Sequence, residues 1–204
     1  MSDLQCPATL LFARAGDAED HVNPVNHVLS DHRSALTEKG RAQVRHLVET
    51  VRTRRITEVY SSTMHQSVQS GELASSELGV RHIVTEGLQE LSLGEVAAGS
   101  DLDPRAGDAS DSWLGGDLAA TLPGADDDHA VVRRFRQAIE EIADTHRGET
   151  VLVFTHGDVM SLALPQLALN VRNDFAAQRF LPNCVAVEVE VDADGWRIVS
   201  WPSE

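Results

Sequence analysis

The chain has 204 residues and a mass of 22.2 kDa, the size of one large domain. Hydrophobic residues make up 42% and charged residues 24%, which is typical of a globular protein and excludes a disordered chain. Seventeen Lys and Arg against 32 Asp and Glu leave a net charge of −15. Binding to nucleic acid or to an anionic membrane needs a positive surface, so we expect neither.

The first residues of the chain lack the basic start and apolar run of a signal peptide. No apolar stretch approaches the roughly 20 residues of a membrane span. Cys6 and Cys184 fit neither a metal-binding spacing nor a disulfide framework. We therefore expect a cytoplasmic protein. Lys39 is the single lysine, and the other 16 basic residues are arginine. This preference for arginine over lysine favours a bacterial source.

In the first half of the chain, apolar runs alternate with helical patterns. Residues 9–13 form a continuous apolar run, typical of a strand buried on both faces. After a polar loop, Thr37 is a suitable cap for a helix. Apolar residues then recur at helical spacing, namely Val44, Leu47, Val48 and Val51. A second strand is predicted over 56–60 and a second helix over 64–78.

The second half opens with an acidic segment. Residues 95–128 are rich in Gly, Ala and Asp and carry nine acidic residues and one basic, so we predict a long surface excursion. Helical spacing returns over 131–142, and 150–155 is a second fully apolar strand. Valines alternate with polar residues over 185–192, and a turn at 192–195 leads to a last strand over 196–201. These last two strands provide a possible edge for a homodimer.

Alternating strands and helices predict one α/β domain over residues 1–204, in three layers, with a mostly parallel sheet flanked by helices. Ligands bind such folds beyond the carboxyl ends of the strands. Three segments follow predicted strands there: 14–17, 61–63 and 155–158. An arginine in the first segment and a histidine in the third are placed to meet in one pocket, where a small-molecule substrate or ligand would bind.

Seven segments, in order, match the motifs of one family. The first segment is residues 10–17, which end in Arg14-Ala15-Gly16-Asp17. The others are residues 36–42, Val59-Tyr60-Ser61-Ser62 with Gln69, Leu88-Gln89-Glu90 with Gly94, Leu122-Pro123-Gly124, residues 151–157 and Leu181-Pro182-Asn183. Together they resemble the histidine phosphatase (phosphoglycerate mutase-like) superfamily, over nearly the whole chain. The resemblance implies a phosphoglycerate mutase-like fold and a pocket for phosphate esters.

Two positions depart from the family's pattern. The nucleophilic histidine of the first signature is replaced by Ala15, whose methyl group has no lone pair, so a phosphohistidine cannot form there. The pocket arginine is replaced by Gln66, whose amide offers neither the charge nor the bidentate fork of a guanidinium. Ordinary phosphatase or mutase activity is therefore not expected.

The remaining matches define a candidate site. The resemblance implies that Arg14 binds an anion, Glu90 donates a proton and His156 completes the pocket. Gly16 and Gly157 are the glycines of the two signatures and would line it. Asp17 and Asp158 follow those glycines, where each would polarise a histidine or cap a helix.

Several other histidines are predicted near this cleft. His21 lies seven residues after Arg14, where a mutase-type member carries a pocket Asn, and His65 adjoins Gln66. We include His21 and His65 among the substrate-binding candidates. His27, Asp31 and His32 follow in the same loop, but their spacing matches no metal-binding motif. We expect neither a metal nor a cofactor.

Three functional hypotheses remain open. The first is a retooled enzyme in which His156 and Glu90 perform acid–base chemistry. The second is a non-catalytic pseudophosphatase that binds a ligand or a partner. The third is a phosphatase, either one with residual activity that uses His156 as the nucleophile or one that carries an engineered histidine-to-alanine change at position 15. The resemblance implies that the acidic excursion lies beside the pocket, so we favour a neutral or weakly anionic substrate for the first hypothesis.

Overall fold

The computed structural model describes residues 6–19, 34–91, 127–176, 179 and 181–202. Its elements, in chain order, are β1 (Ala8–Arg14), α1 (Glu38–Val51), β2 (Ile56–Ser61), α2 (His65–Leu78), β3 (Arg81–Val84), α3 (Asp128–Thr145), β4 (Thr150–Thr155), α4 (Gly157–Leu167), β5 (Ala186–Asp192) and β6 (Gly195–Ser200). The predicted acidic excursion lies outside the described residues except at its end. None of the described helices is long and apolar enough to cross a membrane.

The six strands form one sheet in the order β3-β2-β4-β1-β5-β6. β1, β2, β3 and β4 run parallel, whereas β5 pairs antiparallel with both β1 and β6. β4 therefore lies between β1 and β2, and the carboxyl ends of these three strands meet at one edge of the sheet. The predicted α/β fold, with a mostly parallel sheet between helices, is confirmed.

Each face of the sheet carries its own apolar core. Leu10 and Phe12 of β1 point into the core formed with α3 and α4, whereas Leu11 and Ala13 point into the core formed with α1 and α2. Both faces are thus buried, which explains the continuous apolar run at 9–13. Burying each large side chain contributes about 1.5–3 kcal/mol. The strand ends that carry the candidate site are therefore fixed by rigid packing.

The start of α1 follows the predicted cap. Thr37 Oγ1 accepts a hydrogen bond of 3.0 Å from the Gly40 amide. Glycine is required at position 40, because a Cβ there would lie 2.0 Å from the Asp17 carbonyl oxygen. The close approach lets α1 pack directly against the loop that leaves β1, which is the loop carrying Gly16.

The outer edge of β6 is covered by chain that follows α4. The Leu169 amide donates to the Trp196 carbonyl at 2.9 Å. The Asn170 side chain accepts from the Ile198 amide at 3.0 Å and donates to its carbonyl at 2.8 Å. These bonds occupy backbone groups that a second copy would need for edge pairing. The homodimer remains a prediction.

Candidate active site

Backbone hydrogen bonds join the three strand ends that the sequence singles out. The Ala15 amide donates to the Thr155 carbonyl at 2.9 Å, which ties the end of β1 to the end of β4. The Ser62 amide donates to the Phe154 carbonyl at 3.1 Å, which ties the end of β2 to the same strand. The residues after all three strands are therefore held close together, as predicted.

The residues after β1 are braced by the segment before β5. Ala15 is 3% exposed, and its carbonyl accepts a hydrogen bond of 2.6 Å from the Asn183 side chain. The half-buried Arg14 side chain packs against Gly157, where a Cβ would lie 3.4 Å from the Arg14 Cδ. Arg14 Nη1 also lies 3.5 Å from the Leu181 carbonyl oxygen. The guanidinium is thereby directed to the start of α4.

His156 is buried at the end of β4, with 5% of the residue exposed. Its Nε2 lies 2.6 Å from the hydroxyl oxygen of Ser62. Burial lowers the pKa of His156 to about 3, and the positive charges of Arg14 and Arg134 act in the same direction. The imidazole is therefore neutral at physiological pH.

Glu90 caps the helix that follows His156. Its carboxylate accepts hydrogen bonds of 3.1 Å from the Asp158 amide and 2.7 Å from the Val159 amide, both in the first turn of α4. Burial raises the pKa of Glu90 to about 7, and the negative charge of Asp158 adds to the increase, outweighing the amide hydrogen bonds that lower it. A carboxyl group with a pKa near neutrality thus binds the first turn of the helix that directly follows the neutral His156.

The segment that carries Glu90 is anchored on two sides. Thr155 Oγ1, at the end of β4, donates to the Leu88 carbonyl at 2.6 Å. The Arg134 guanidinium, from α3, donates to the carbonyls of Gly87 at 2.8 Å and Glu90 at 3.1 Å. Glu90 is therefore held in place by backbone contacts as well as by its own side chain.

Gln66, in the first turn of α2, supports the Gly16 loop through its backbone. Its carbonyl accepts a hydrogen bond of 2.7 Å from the Ser70 hydroxyl, which in turn accepts from the Gly16 amide at 3.1 Å. The side-chain Oε1 of Gln66 is buried and has no hydrogen-bond partner among the described residues.

His65 is bonded to its own helix. Its Nε2 lies 3.1 Å from the side-chain nitrogen of Gln69, and the Gln69 side-chain oxygen accepts from the Leu36 amide at 2.7 Å. The predicted match at Gln69 therefore secures the entry to α1. His65 stays a prediction as a substrate-binding residue.

The two aspartates after the signature glycines differ in role. Asp17 accepts hydrogen bonds from the Thr37 hydroxyl at 2.7 Å and from Lys39 at 3.1 Å, and these bonds lower its pKa. Asp17 thus stabilises the start of α1. The Asp158 side chain is exposed, and Glu90, not Asp158, caps α4.

The loop residues His21, His27, Asp31 and His32, together with Gly94 and the 122–124 segment, lie outside the described residues. Among the residues that the structure describes, no group of three or more His, Cys, Asp and Glu side chains could hold a metal ion.

Sequence reasoning gave no role to Ser62 or Asn183. Ser62 contacts His156 directly, and Asn183 holds the Ala15 carbonyl. Both lie in segments that the family resemblance singles out. Their partners, however, are 94 and 168 residues away along the chain, so no local sequence pattern predicts these contacts.

Comparison with known proteins identifies the family. The model of the histidine phosphatase superfamily, branch 1, matches residues 10–204. The chain belongs to the histidine phosphatase superfamily. Phosphoglycerate mutase-like protein 4 of Arabidopsis thaliana is 25% identical over 174 residues, covering 81% of this chain and 73% of that protein.

Two solved structures agree with the fold. YhfR of Bacillus stearothermophilus has a TM-score of 0.75 and 25% identity, over 94% of this chain and 95% of that one. Mycobacterial glucosyl-3-phosphoglycerate phosphatase has a TM-score of 0.75 and 20% identity, over 97% of this chain and 100% of that one. The chain therefore has a phosphoglycerate mutase-like fold, and its relatives are phosphatases and mutase-like proteins.

Proposed function

We propose that this chain is an enzyme that transfers a proton on a small, neutral or weakly anionic substrate, with Glu90 as the acid–base group and His156 beside it. The observation that carries the proposal is the Glu90 carboxyl, whose pKa is raised to about 7 at the edge of the sheet where His156 lies. Perturbed carboxyl groups beside a second polar group at such strand ends are typical of catalytic sites.

The chemistry follows from these protonation states. Near pH 7, Glu90 is present both as carboxylate and as acid, which suits a group that accepts a proton and returns it. The carboxylate takes a proton from a carbon next to a carbonyl group, and the electron pair moves to the carbonyl oxygen. Arg14 and His156 stabilise the negative charge on that oxygen. Glu90 then returns the proton to a different carbon, or to the other face of the same carbon, which completes an isomerisation. Alternatively, the electron pair returns from the oxygen and expels a leaving group from the next carbon, which takes the proton from Glu90 and completes an elimination.

Phosphoryl transfer is disfavoured by four features. Ala15 supplies no nucleophile, and Gln66 supplies no second guanidinium. The amides in the first turn of α4, where an anion would bind, already hold the Glu90 carboxylate. A dianionic phosphate would also face the negative charge of Asp158. A substrate with little charge avoids this repulsion.

Ligand binding without turnover is the second candidate. The buried Oε1 of Gln66 favours it, because this acceptor has no partner among the described residues. A bound hydroxyl or amide group would satisfy the oxygen without any proton transfer.

Deuterium exchange tests the proposal. The protein is incubated in D2O with a panel of small aldehydes, ketones and hydroxy acids, and deuterium incorporation at carbon is followed by NMR. We expect exchange of at least one compound, with a rate that rises as pH increases through about 7 because the carboxylate is the base. Glu90→Gln should lower that rate by about 10² to 10⁴. Glu86→Gln, which removes an exposed carboxylate in the same segment, is the matched control and should have no effect.

The alternatives give different results. Binding of a panel compound without exchange would support a pseudophosphatase. Equal exchange rates in the wild type and Glu90→Gln would contradict the role of Glu90. The Ala15→His variant should show no hydrolysis of an aryl phosphate. Clear hydrolysis would indicate a phosphatase pocket in which only the nucleophile is missing.

A further inference from the structure

We infer that Ser62 is a positioning residue that holds His156 as the tautomer with its hydrogen on Nδ1, so that His156 donates an N–H to a substrate oxygen. This assignment divides the work of the site: Glu90 moves the proton, and His156 only donates a hydrogen bond. The part that concerns substrate rests on the proposed function. The part that concerns the tautomer rests on the contacts of Ser62 alone.

The hydroxyl of Ser62 has two neighbours. Ser62 is 0% exposed, and its Oγ lies 2.6 Å from Nε2 of His156 and 3.3 Å from the amide nitrogen of Met64. An amide N–H can only donate, so the Ser62 oxygen accepts from Met64. The hydroxyl hydrogen of Ser62 then has one acceptor among the described residues, which is Nε2 of His156.

The opposite arrangement leaves a buried hydrogen without an acceptor. If Nε2 carried the ring hydrogen, the Ser62 oxygen would accept from both neighbours, and its own hydrogen would point into packed protein. A buried donor without a partner is costly, so the arrangement with Nε2 as acceptor is favoured. Burial next to Arg14 keeps the ring neutral, and a neutral imidazole whose Nε2 is an acceptor carries its hydrogen on Nδ1.

Nδ1 is the ring nitrogen left for a ligand. It forms no hydrogen bond with the described residues, whereas Nε2 is occupied by Ser62. An N–H group cannot accept a proton, so His156 cannot be the base through Nδ1. It can donate to a carbonyl, enolate or carboxylate oxygen, which defines the substrate group that this side of the pocket recognises.

The neighbouring serine provides a matched control. Ser61 Oγ lies 2.8 Å from Nε2 of His82, which is a serine–histidine contact of nearly the same length at the same strand end. Both serines are 0% exposed. Removing the Ser61 hydroxyl should therefore destabilise the packing about as much as removing the Ser62 hydroxyl does, but it leaves the contacts of His156 unchanged.

Nitrogen-15 NMR of the full chain with labelled histidine tests the inference, because protonated and unprotonated ring nitrogens resonate far apart. His156→Asn identifies the His156 signals. In the wild type near neutral pH we expect hydrogen on Nδ1 and none on Nε2. Ser62→Ala should shift the tautomer ratio of His156 toward Nε2–H by about tenfold or more, since it removes the donor to Nε2 that the described residues supply. Ser61→Ala should change the His82 signals and leave those of His156 unchanged.

Two results would overturn the inference. The first is a wild-type His156 with hydrogen on Nε2, which needs no variant and so does not depend on Ser62→Ala folding. The second is covalent labelling of Ser62 by a fluorophosphonate, which would make Ser62 a nucleophile and His156 its base. We expect no labelling. The spectrum is recorded without substrate, so a chain with Nδ1–H and no deuterium exchange would refute the proposed function while leaving the role of Ser62 intact.

Discussion

Two histidines of equal burial bracket β4, and different polar groups contact their rings. His146 precedes the strand and His156 follows it, and each is 5% exposed. His146 lies between two carboxylates, with Glu149 2.8 Å from Nδ1 and Glu58 3.3 Å from Nε2. His156 instead has a hydroxyl on Nε2 and the positive charge of Arg14 nearby.

Two equally buried histidines at opposite ends of one strand therefore have different polar partners. At the amino end, carboxylates contact both ring nitrogens of His146. At the carboxyl end, burial and the charge of Arg14 disfavour the protonated ring of His156. The hydrogen bond from His146 lowers the pKa of Glu149, and the Tyr60 hydroxyl lies 2.9 Å from Nε2 of His146. The amino end is a closed structural network. The carboxyl end keeps its ring neutral and leaves one ring nitrogen for a ligand.

The largest expected effect is the acid sensitivity caused by His156. Its folded pKa of about 3 lies below the ordinary value of 6.5, so the unfolded chain binds the extra proton first as pH falls. The free energy of unfolding should drop by about 1.4 kcal/mol per pH unit below 6.5, or about 3 kcal/mol between about pH 7.5 and about pH 4.

His156→Asn, which cannot titrate, isolates this effect. Urea unfolding at a series of pH values measures both proteins, and the difference between their curves removes the contribution of the carboxylates that they share. Parallel curves over this range would mean that His156 is not held neutral.

A smaller loss is expected at the other end of β4. His146→Leu keeps the bulk but removes the bonds to Glu149 and Tyr60, and it should lower the free energy of unfolding by about 2 kcal/mol at neutral pH. His129→Leu, at an exposed position in α3, is the control and should change stability by less than about 0.5 kcal/mol. Equal effects in the two variants would show that the His146 network does not stabilise the fold.

The smallest effect concerns the unpartnered oxygen of Gln66. Gln66→Leu should change the free energy of unfolding by less than about 0.5 kcal/mol or increase it, because Oε1 accepts no hydrogen bond from the described residues. Gln69→Leu, one turn later in α2, removes the bond to the Leu36 amide and should cost about 1 kcal/mol. Thermal unfolding compares the two. A larger loss for Gln66→Leu would imply a partner that the described residues do not include.

Periodicity predicted most of the fold. Val44, Leu47, Val48 and Val51 are buried, and the Thr37 cap is confirmed, because local spacing and capping chemistry are encoded over a few residues. β3 (Arg81–Val84) was not predicted. It has four residues, two of them exposed, so it has no apolar run, and it is a strand only because it pairs with β2.

The site was predictable only in part. Arg14, Glu90 and His156 were singled out because strand ends and family motifs mark them, and their role in a site stays a prediction. The protonation states of these residues could not be predicted, since the pKa of Glu90 depends on burial and on the charge of Asp158. The contact between Ser62 and His156 depends on the pairing of β2 with β4, which joins residues far apart in sequence.

The protonation of Glu90 tests the central claim most directly. Carbon-13 NMR of the chain labelled at the glutamate carboxyl carbons follows each titration, and Glu90→Gln identifies the signal. A midpoint of about 7 is expected, which leaves a proton-transfer group poised at neutral pH beside a neutral imidazole. A midpoint at the ordinary value of 4.5 would contradict the account, because Glu90 would then be a structural helix cap and no longer an acid–base group.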